Sequence, residues 1–302
     1  PLNPHPTEAG NRYPMTDSPS SADTIQRFVF NNGEVRGELV FIEDALQEAL
    51  NRDDYPEPAA HLLGESLTAA LLLGGVLKIR GRISLQAKGE GPVTLLMADT
   101  THDRGIRGIV HTSDAIPHGA IGEQLGRGQL AITIEPEQGQ RYQGIVPLEA
   151  ETLSGCLEGY FARSEQLDTS IMLFADSERA GGLMLQKMPG YEHTDDDDLW
   201  DRLTQLAATT RREEVLELPP ETLLHRLFHE ESISLYPAEP VYFHCHCSRE
   251  RTEEALRTMG AEECYQLLSE EGVINVDCQF CNQNYRFGQP DLEALFGPNQ
   301  QH

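Results

Sequence analysis

The sequence predicts an α+β fold: an N-terminal antiparallel-sheet domain with packed helices, an α-helical linker, and a small C-terminal four-cysteine zinc module. Three observations point there. Strand-type runs cluster together over residues 79–146 instead of alternating strictly with helices, which disfavours a doubly wound parallel sheet. After Pro189 the strand pattern gives way to an acidic stretch whose apolar residues recur at helical spacing. Near the C-terminus Cys245 and Cys247 form a C-x-C pair and, thirty residues on, Cys278 and Cys281 form a C-x-x-C pair. Two close thiol pairs that converge supply the four sulfurs of a tetrahedral zinc site.

Residues 1–22, rich in Pro, Ser, Asn and Thr, read as a disordered leader, with Met15 a candidate natural start. The N-terminal domain is expected over 23–190. From Thr24 the pattern is that of a strand, with Ile25, Arg27 and Val29 on one face, Gln26, Phe28 and Phe30 on the other, and the turn signal Asn31-Asn32-Gly33 after them. A helix follows over about 58–73, where Leu62, Leu63, Leu67, Ala70 and Leu71 recur at helical spacing before Gly74-Gly75. Runs at Ile79–Ala87 and Val93–Ala98 flank Lys88-Gly89-Glu90-Gly91-Pro92 and read as a hairpin. Further strands fall at Gly105–Val110, Gln129–Ile134 and Tyr142–Val146. A helix over about 149–163 and strands near Thr169–Phe174 and Leu183–Gln186 complete the domain.

Residues 191–240 hold thirteen Asp or Glu against four Arg, including the run Asp195–Asp198. Helical spacing persists in Leu199, Trp200, Leu203, Leu206 and Ala207, and again in Leu223, Leu224, Leu227 and Phe228 after Pro219-Pro220. Short amphipathic helices must dock on something else to be stable, so the segment reads either as a metastable linker or as an ordinary helical subdomain. The module spans 241–288: Phe243–Cys247 makes one knuckle, Cys278–Cys281 another, and Thr252–Met259 with Glu262–Leu268 form a helix–turn–helix between them. Residues 289–302 read as a tail. So small a module has few large apolar residues, and thiolate-bound zinc, contributing about 10–16 kcal/mol, would dominate its stability.

At 302 residues with 39% hydrophobic content, the chain has material for one large core or two domains. Its formal charge of −26 argues against DNA or RNA as partner, because phosphate binding relies on Lys and Arg, and so disfavours a nucleic-acid zinc ribbon. Life at high salt explains the acidity equally well. The longest apolar run, Ala69–Leu77, is short for a membrane span, and the first twenty-three residues carry no secretory signal pattern. A cytoplasmic location with no membrane partner follows as an expectation. There thiols stay reduced, which favours metal over permanent disulfides. The plainest reading of the spacing is a permanent structural Zn2+ site, one ion per chain, on Cys245, Cys247, Cys278 and Cys281. Both pairs are also close enough to form local disulfides, and sulfurs paired with each other no longer serve as ligands.

Several segments carry a family resemblance: Cys245-His246-Cys247 with Cys278-Gln279-Phe280-Cys281, Gly81-Arg82-Ile83-Ser84-Leu85-Gln86 followed by Gly91-Pro92-Val93, Tyr142-Gln143-Gly144-Ile145-Val146-Pro147-Leu148, and Cys156-Leu157-Glu158-Gly159-Tyr160-Phe161 leading into Ser164-Glu165-Gln166-Leu167. From Thr24 to Gly288 the chain resembles the redox-regulated 33 kDa chaperonin family, the bacterial heat-shock holdases. The resemblance implies a chaperone that is not an enzyme, works without ATP, and is silent when reduced with zinc on the four cysteines. It further implies that oxidation pairs Cys245 with Cys247 and Cys278 with Cys281, releases zinc, unfolds the linker, and yields a homodimer that holds unfolded client proteins. The leader, the acidity, and Asp168 where many relatives have Pro depart from the pattern.

Other residues have plainer readings. Cys264 and Cys156 sit on expected helices as free, buried thiols. His244 and His246 flank the ligands, but four thiols already complete a tetrahedron. His225 and His229, one helical turn apart, read as a helix face. Gly122–Gly128 lacks the Gly-Lys-Ser/Thr ending of a phosphate loop and reads as a flexible connection, so no ATP site is expected. Two rival classes remain: a constitutive zinc-binding adaptor, and a thiol oxidoreductase using Cys278 and Cys281, although the βαβ pattern expected beside such a pair is absent.

Overall fold

The structure, a computed structural model, describes residues 23–30, 33–76, 80–113, 115–190, 196 and 198–297. The expected leader, Asn31 and Asn32 of the first turn, Leu77 to Ile79, Asp195 and Asp197 of the acidic run and the last five residues lie outside the described residues.

Strand β1 (Thr24–Phe30) pairs antiparallel with β2 (Val35–Ile42), and helix α1 (Asp44–Leu50) follows. The Asp23 carboxylate accepts the backbone N–H groups of Glu43 at 2.6 Å, Asp44 at 3.2 Å and Ala45 at 2.5 Å, so it caps α1 from a distant part of the chain. Strand β1 was expected from the sequence, whereas β2 and α1 were not. Strand β2 is largely buried on both faces, with Glu38 among its buried residues.

Helix α2 (Glu57–Val76) is buried around most of its circumference. By length and composition it is long and apolar enough to cross a membrane, yet it packs between two sheets as the central core helix. The second sheet comprises β3 (Gly81–Gly89), β4 (Val93–Thr101), β5 (Gly105–Thr112), β6 (Gly128–Pro136) and β7 (Tyr142–Pro147), in the order β5-β4-β3-β6-β7. The expected hairpin is present, with Arg82 opposite Thr101 and Lys88 opposite Leu95. The first sheet is completed by β8 (Thr169–Ala175) and β9 (Ala180–Lys187), giving β1-β2-β9-β8.

Two local expectations are corrected. Gly122–Gly128 is held in place: Ile121–Leu125 forms helix α3, Gly126 turns at φ 66°, and the Gly91 N–H donates to the Leu125 carbonyl at 3.0 Å. The helix expected over 149–163 begins later, as α4 (Leu153–Tyr160). The Thr152 hydroxyl caps it by accepting the Gly155 N–H at 3.1 Å, and a π-type turn follows over Phe161–Glu165.

The linker docks as α5 (Leu199–Ala207), α6 (Arg212–Glu217) and α7 (Pro220–Phe228). Leu199, Leu203, Ala207, Val215, Leu223, Leu224, Leu227 and Phe228 close over Phe28, Phe30, Val35, Leu39, Leu183 and Leu185 of the first sheet, forming a second hydrophobic core. Each helix has nine residues or fewer, below the length that is stable alone in water, so docking supplies its stability. The face they cover depends on Gly37. It lies opposite Phe28 in the β1–β2 register, and a Cβ there would stand 2.1 Å from the ring's Cζ. Gly37→Ala is expected to push Phe28 out of this core and cost about 1–3 kcal/mol, measured as a lowered urea midpoint. An unchanged midpoint would show that the ring has room to move.

The chain leaves α7 and lays β10 (Ile233–Leu235) and β11 (Glu239–Pro240) along β1, then β12 (Tyr242–Phe243) parallel to β5. The C-terminal region contains α8 (Arg249–Met259), α9 (Ala261–Glu271), the hairpin of β13 (Ile274–Asp277) and β14 (Asn284–Phe287), and α10 (Gln289–Phe296). Its small core is Leu256, Cys264, Ile274, Phe287 and Leu292. The segment read as a tail from residue 289 is therefore largely a helix whose Leu292 belongs to that core. Gly288 ends the strand and Pro290 stands in the first turn of α10, a start signal that the sequence reading passed over.

Candidate metal centre

The C-x-C pair sits where the chain passes from the sheet edge into a helix. The His244 N–H donates to the Ile106 carbonyl at 2.8 Å, which extends the β12–β5 pairing, and Ser248 caps α8 by accepting the Arg251 N–H at 3.3 Å. Cys245 and Cys247 are held between these two anchors. The C-x-x-C pair occupies the tip of the β13–β14 hairpin. There the Cys278 carbonyl accepts the N–H groups of Cys281 at 3.3 Å and Asn282 at 2.8 Å, and Asn282 takes the left-handed conformation at φ 56°.

The four sulfurs all lie within 4.8 Å of one another. Cys245 Sγ stands 3.6 Å from Cys278 Sγ, and Cys247 Sγ 3.3 Å from Cys281 Sγ. Sulfurs at about 2.3 Å from a common tetrahedral centre stand about 3.8 Å apart, so these separations fit a four-thiolate zinc site. The short sulfur contacts run across the two pairs, as expected when all four point at one centre. His244 and His246 are not in this group. Burial first, and then Arg107 and neighbouring cations, push the His246 pKa down to about 4.

Residues outside the pairs surround the sulfurs. The Tyr285 hydroxyl, from β14, donates to Cys247 Sγ at 3.2 Å. Burial raises the Cys247 thiol, but the hydrogen bonds it accepts outweigh that and lower it overall, while the same bond pushes the Tyr285 pKa up to about 12. Burial raises the thiols of Cys245 and Cys281. Arg107, from β5, points a guanidinium N–H at Cys245 Sγ at 3.8 Å and places its Cζ over the ring of Phe280, 4.0 Å from the centroid, Phe280 lying between the two cysteines of the second pair. Behind it, Asp99 on β4, 1% exposed, accepts from Arg107 Nε at 2.9 Å. Arg82 lies beside the same carboxylate at 3.8 Å and hydrogen-bonds Glu135.

The structure brings together the four cysteines expected from the sequence, and beside them stand Arg107, Asp99 and Tyr285, which the sequence did not point to. Tyr285 lies four residues past Cys281 and could have been noticed. Arg107 lies 138 residues from Cys245, and no spacing rule connects them. Cys264 is fully buried on α9, its thiol 3.5 Å from the Leu256 carbonyl, and Cys156 is buried on α4. The rings of His225, on α7, and His229, at its C-terminal cap, stand 6.2 Å apart, and among the described residues no third ligand joins them.

A family profile described as Hsp33 protein matches residues 23–288. The chain is 48% identical over 279 residues to the 33 kDa chaperonin of Hahella chejuensis, covering 91% of this chain and 97% of that one. It is 46% identical over 288 residues to the 33 kDa chaperonin of Pseudomonas fluorescens, covering 93% and 96%. Its fold is similar to the crystal structure of the Thermotoga maritima 33 kDa chaperonin, with a TM-score of 0.78 at 24% identity, covering 90% of this chain and 97% of that one. Matched over most of its length by profile and by close relatives, the chain belongs to the Hsp33 chaperone family.

Proposed function

We propose that this chain is a redox-regulated, ATP-independent holdase of the bacterial cytoplasm. In the reduced form Cys245, Cys247, Cys278 and Cys281 hold one Zn2+ as thiolates, the module is folded, and the linker covers the first sheet. Under oxidative stress Cys245 pairs with Cys247 and Cys278 with Cys281. Each pair of thiolates gives two electrons to one hydrogen peroxide, which takes up two protons and leaves as two waters. The sulfurs then no longer coordinate, the metal is released, and the module loses the ligation that organises it. Once the linker lets go, the chain dimerises and its uncovered apolar surface holds unfolded clients.

One observation carries this reading: the linker helices bury an apolar sheet face, and the chain leaving them is threaded along β1 and β5 directly into the C-x-C pair. A change at the sulfurs therefore reaches the latch along the backbone between the end of α7 at Phe228 and Cys245, which is paired to β1 and β5 on the way. Zinc release and suppression of client aggregation, followed before and after peroxide with mild heat, test it. We expect both to rise together. Zinc release without any gain in suppression sinks the chaperone switch. If neither changes, the centre is constitutive and structural, and turnover of insulin disulfides would point instead to an oxidoreductase.

A further inference from the structure

The second sheet reaches the thiol centre by a route that the switch does not require. Among the cations near the four sulfurs, Arg107 comes from the core and not from the module. It is fixed on one side by buried Asp99, and on the other its guanidinium meets Cys245 Sγ and the face of Phe280. Asp99 is flanked in turn by Arg82, which Glu135 holds. The guanidinium thus projects from a braced network and is not a mobile surface side chain.

We propose that Arg107 is a positioning residue that docks the module on the core by reading the charge of the thiolate centre. The inference rests on the zinc-thiolate reading above. Four thiolates around a divalent cation carry a net charge of −2, and a guanidinium beside one of the sulfurs is favoured in such a field. Pairing the sulfurs as disulfides removes that negative charge. Arg107 then keeps Asp99 but loses its charged acceptor on the module, which leaves the contact to the short β12–β5 pairing and to neutral contacts such as the 2.6 Å hydrogen bond from Asn282 Nδ2 to the Arg52 carbonyl. The same guanidinium donates toward a ligating sulfur, the kind of outer contact whose loss weakens metal binding.

The test uses the full-length, reduced, zinc-loaded chain. Arg107→Met is expected to weaken zinc retention against a chromophoric chelator roughly 10-fold and to speed exchange at the His244 amide. Arg104→Met is the control: it removes the 2.9 Å ion pair between Arg104 and Glu239, beside the same strands, but Arg104 touches no sulfur. A residue that merely glues the two parts together would speed exchange without moving zinc affinity, as the control is expected to do. Because Arg107→Met leaves Asp99 short of its nearest cation, Phe280→Leu provides a variant that removes the stack and leaves the ion pair intact; it should shift zinc retention in the same direction by a smaller factor. Zinc affinity within twofold of the unsubstituted chain in both variants overturns the inference. If the unsubstituted chain retains no zinc, the zinc-thiolate reading itself fails.

Discussion

Phe228→Ala is expected to give a chain that suppresses client aggregation while still reduced and zinc-loaded. Phe228 closes the linker onto the first sheet, with its ring edge-on to Phe30 at 5.3 Å between centroids and tilted over Phe28 at 6.5 Å. Truncating a buried phenylalanine costs about 3–5 kcal/mol. That loss falls on α7, a nine-residue helix that is not stable by itself, and so it opens the latch locally before it threatens the core. What the linker uncovers includes Phe28, Phe30, Leu39, Leu183 and Leu185, a contiguous apolar face suited to unfolded segments. Light scattering of a heat-labile client reads the outcome, and zinc content measured alongside shows that the centre is undisturbed. Leu157→Ala is the control, because Leu157 is fully buried in the other core and lies under none of the linker helices. If Phe228→Ala speeds hydrogen exchange in the linker yet still needs peroxide to act, the sheet face is not where clients bind.

The parts of this arrangement that could be read from the sequence are those whose physics is local. Strands with one solvated face, the long central helix and both thiol pairs leave periodic or spaced patterns, and their positions in the structure agree to within a few residues. Strand β2, in which Arg36, Gly37 and Glu38 interrupt the apolar residues, was passed over, and the β13–β14 hairpin is only four residues on each side. The helical spacing at Leu223, Leu224, Leu227 and Phe228 revealed an apolar face but not the surface it meets, since that surface is built from strands about two hundred residues earlier and about forty residues earlier in the chain. The outer contacts of the thiol centre are invisible for the same reason. Asp99, Arg107 and Tyr285 become neighbours of the sulfurs only after β4, β5 and β14 are assembled.

Removing zinc from the reduced chain is expected to unfold the module and leave the core intact. The module's own apolar core is five buried residues, Leu256, Cys264, Ile274, Phe287 and Leu292, too few to offset the conformational entropy of ordering two helices, a hairpin and α10. Metal ligation at about 10–16 kcal/mol exceeds any other single contribution available there, so its loss outweighs what remains. The core has two sheets closed over α2 and contributes no sulfur to the centre. A thiol reagent distinguishes the two parts. Chelation should make five thiols reactive, the four ligands together with Cys264, which is fully buried in the module, while Cys156, 2% exposed in the core, stays protected. Cys281→Ser should reach the same state without chelator, because three sulfurs no longer close the tetrahedron; Cys245, Cys247, Cys278 and Cys264 then react. If Cys264 remains protected after the metal is gone, the module folds without it, and the sulfurs would have to act on the linker through the Arg107 contact and not through loss of the module's fold.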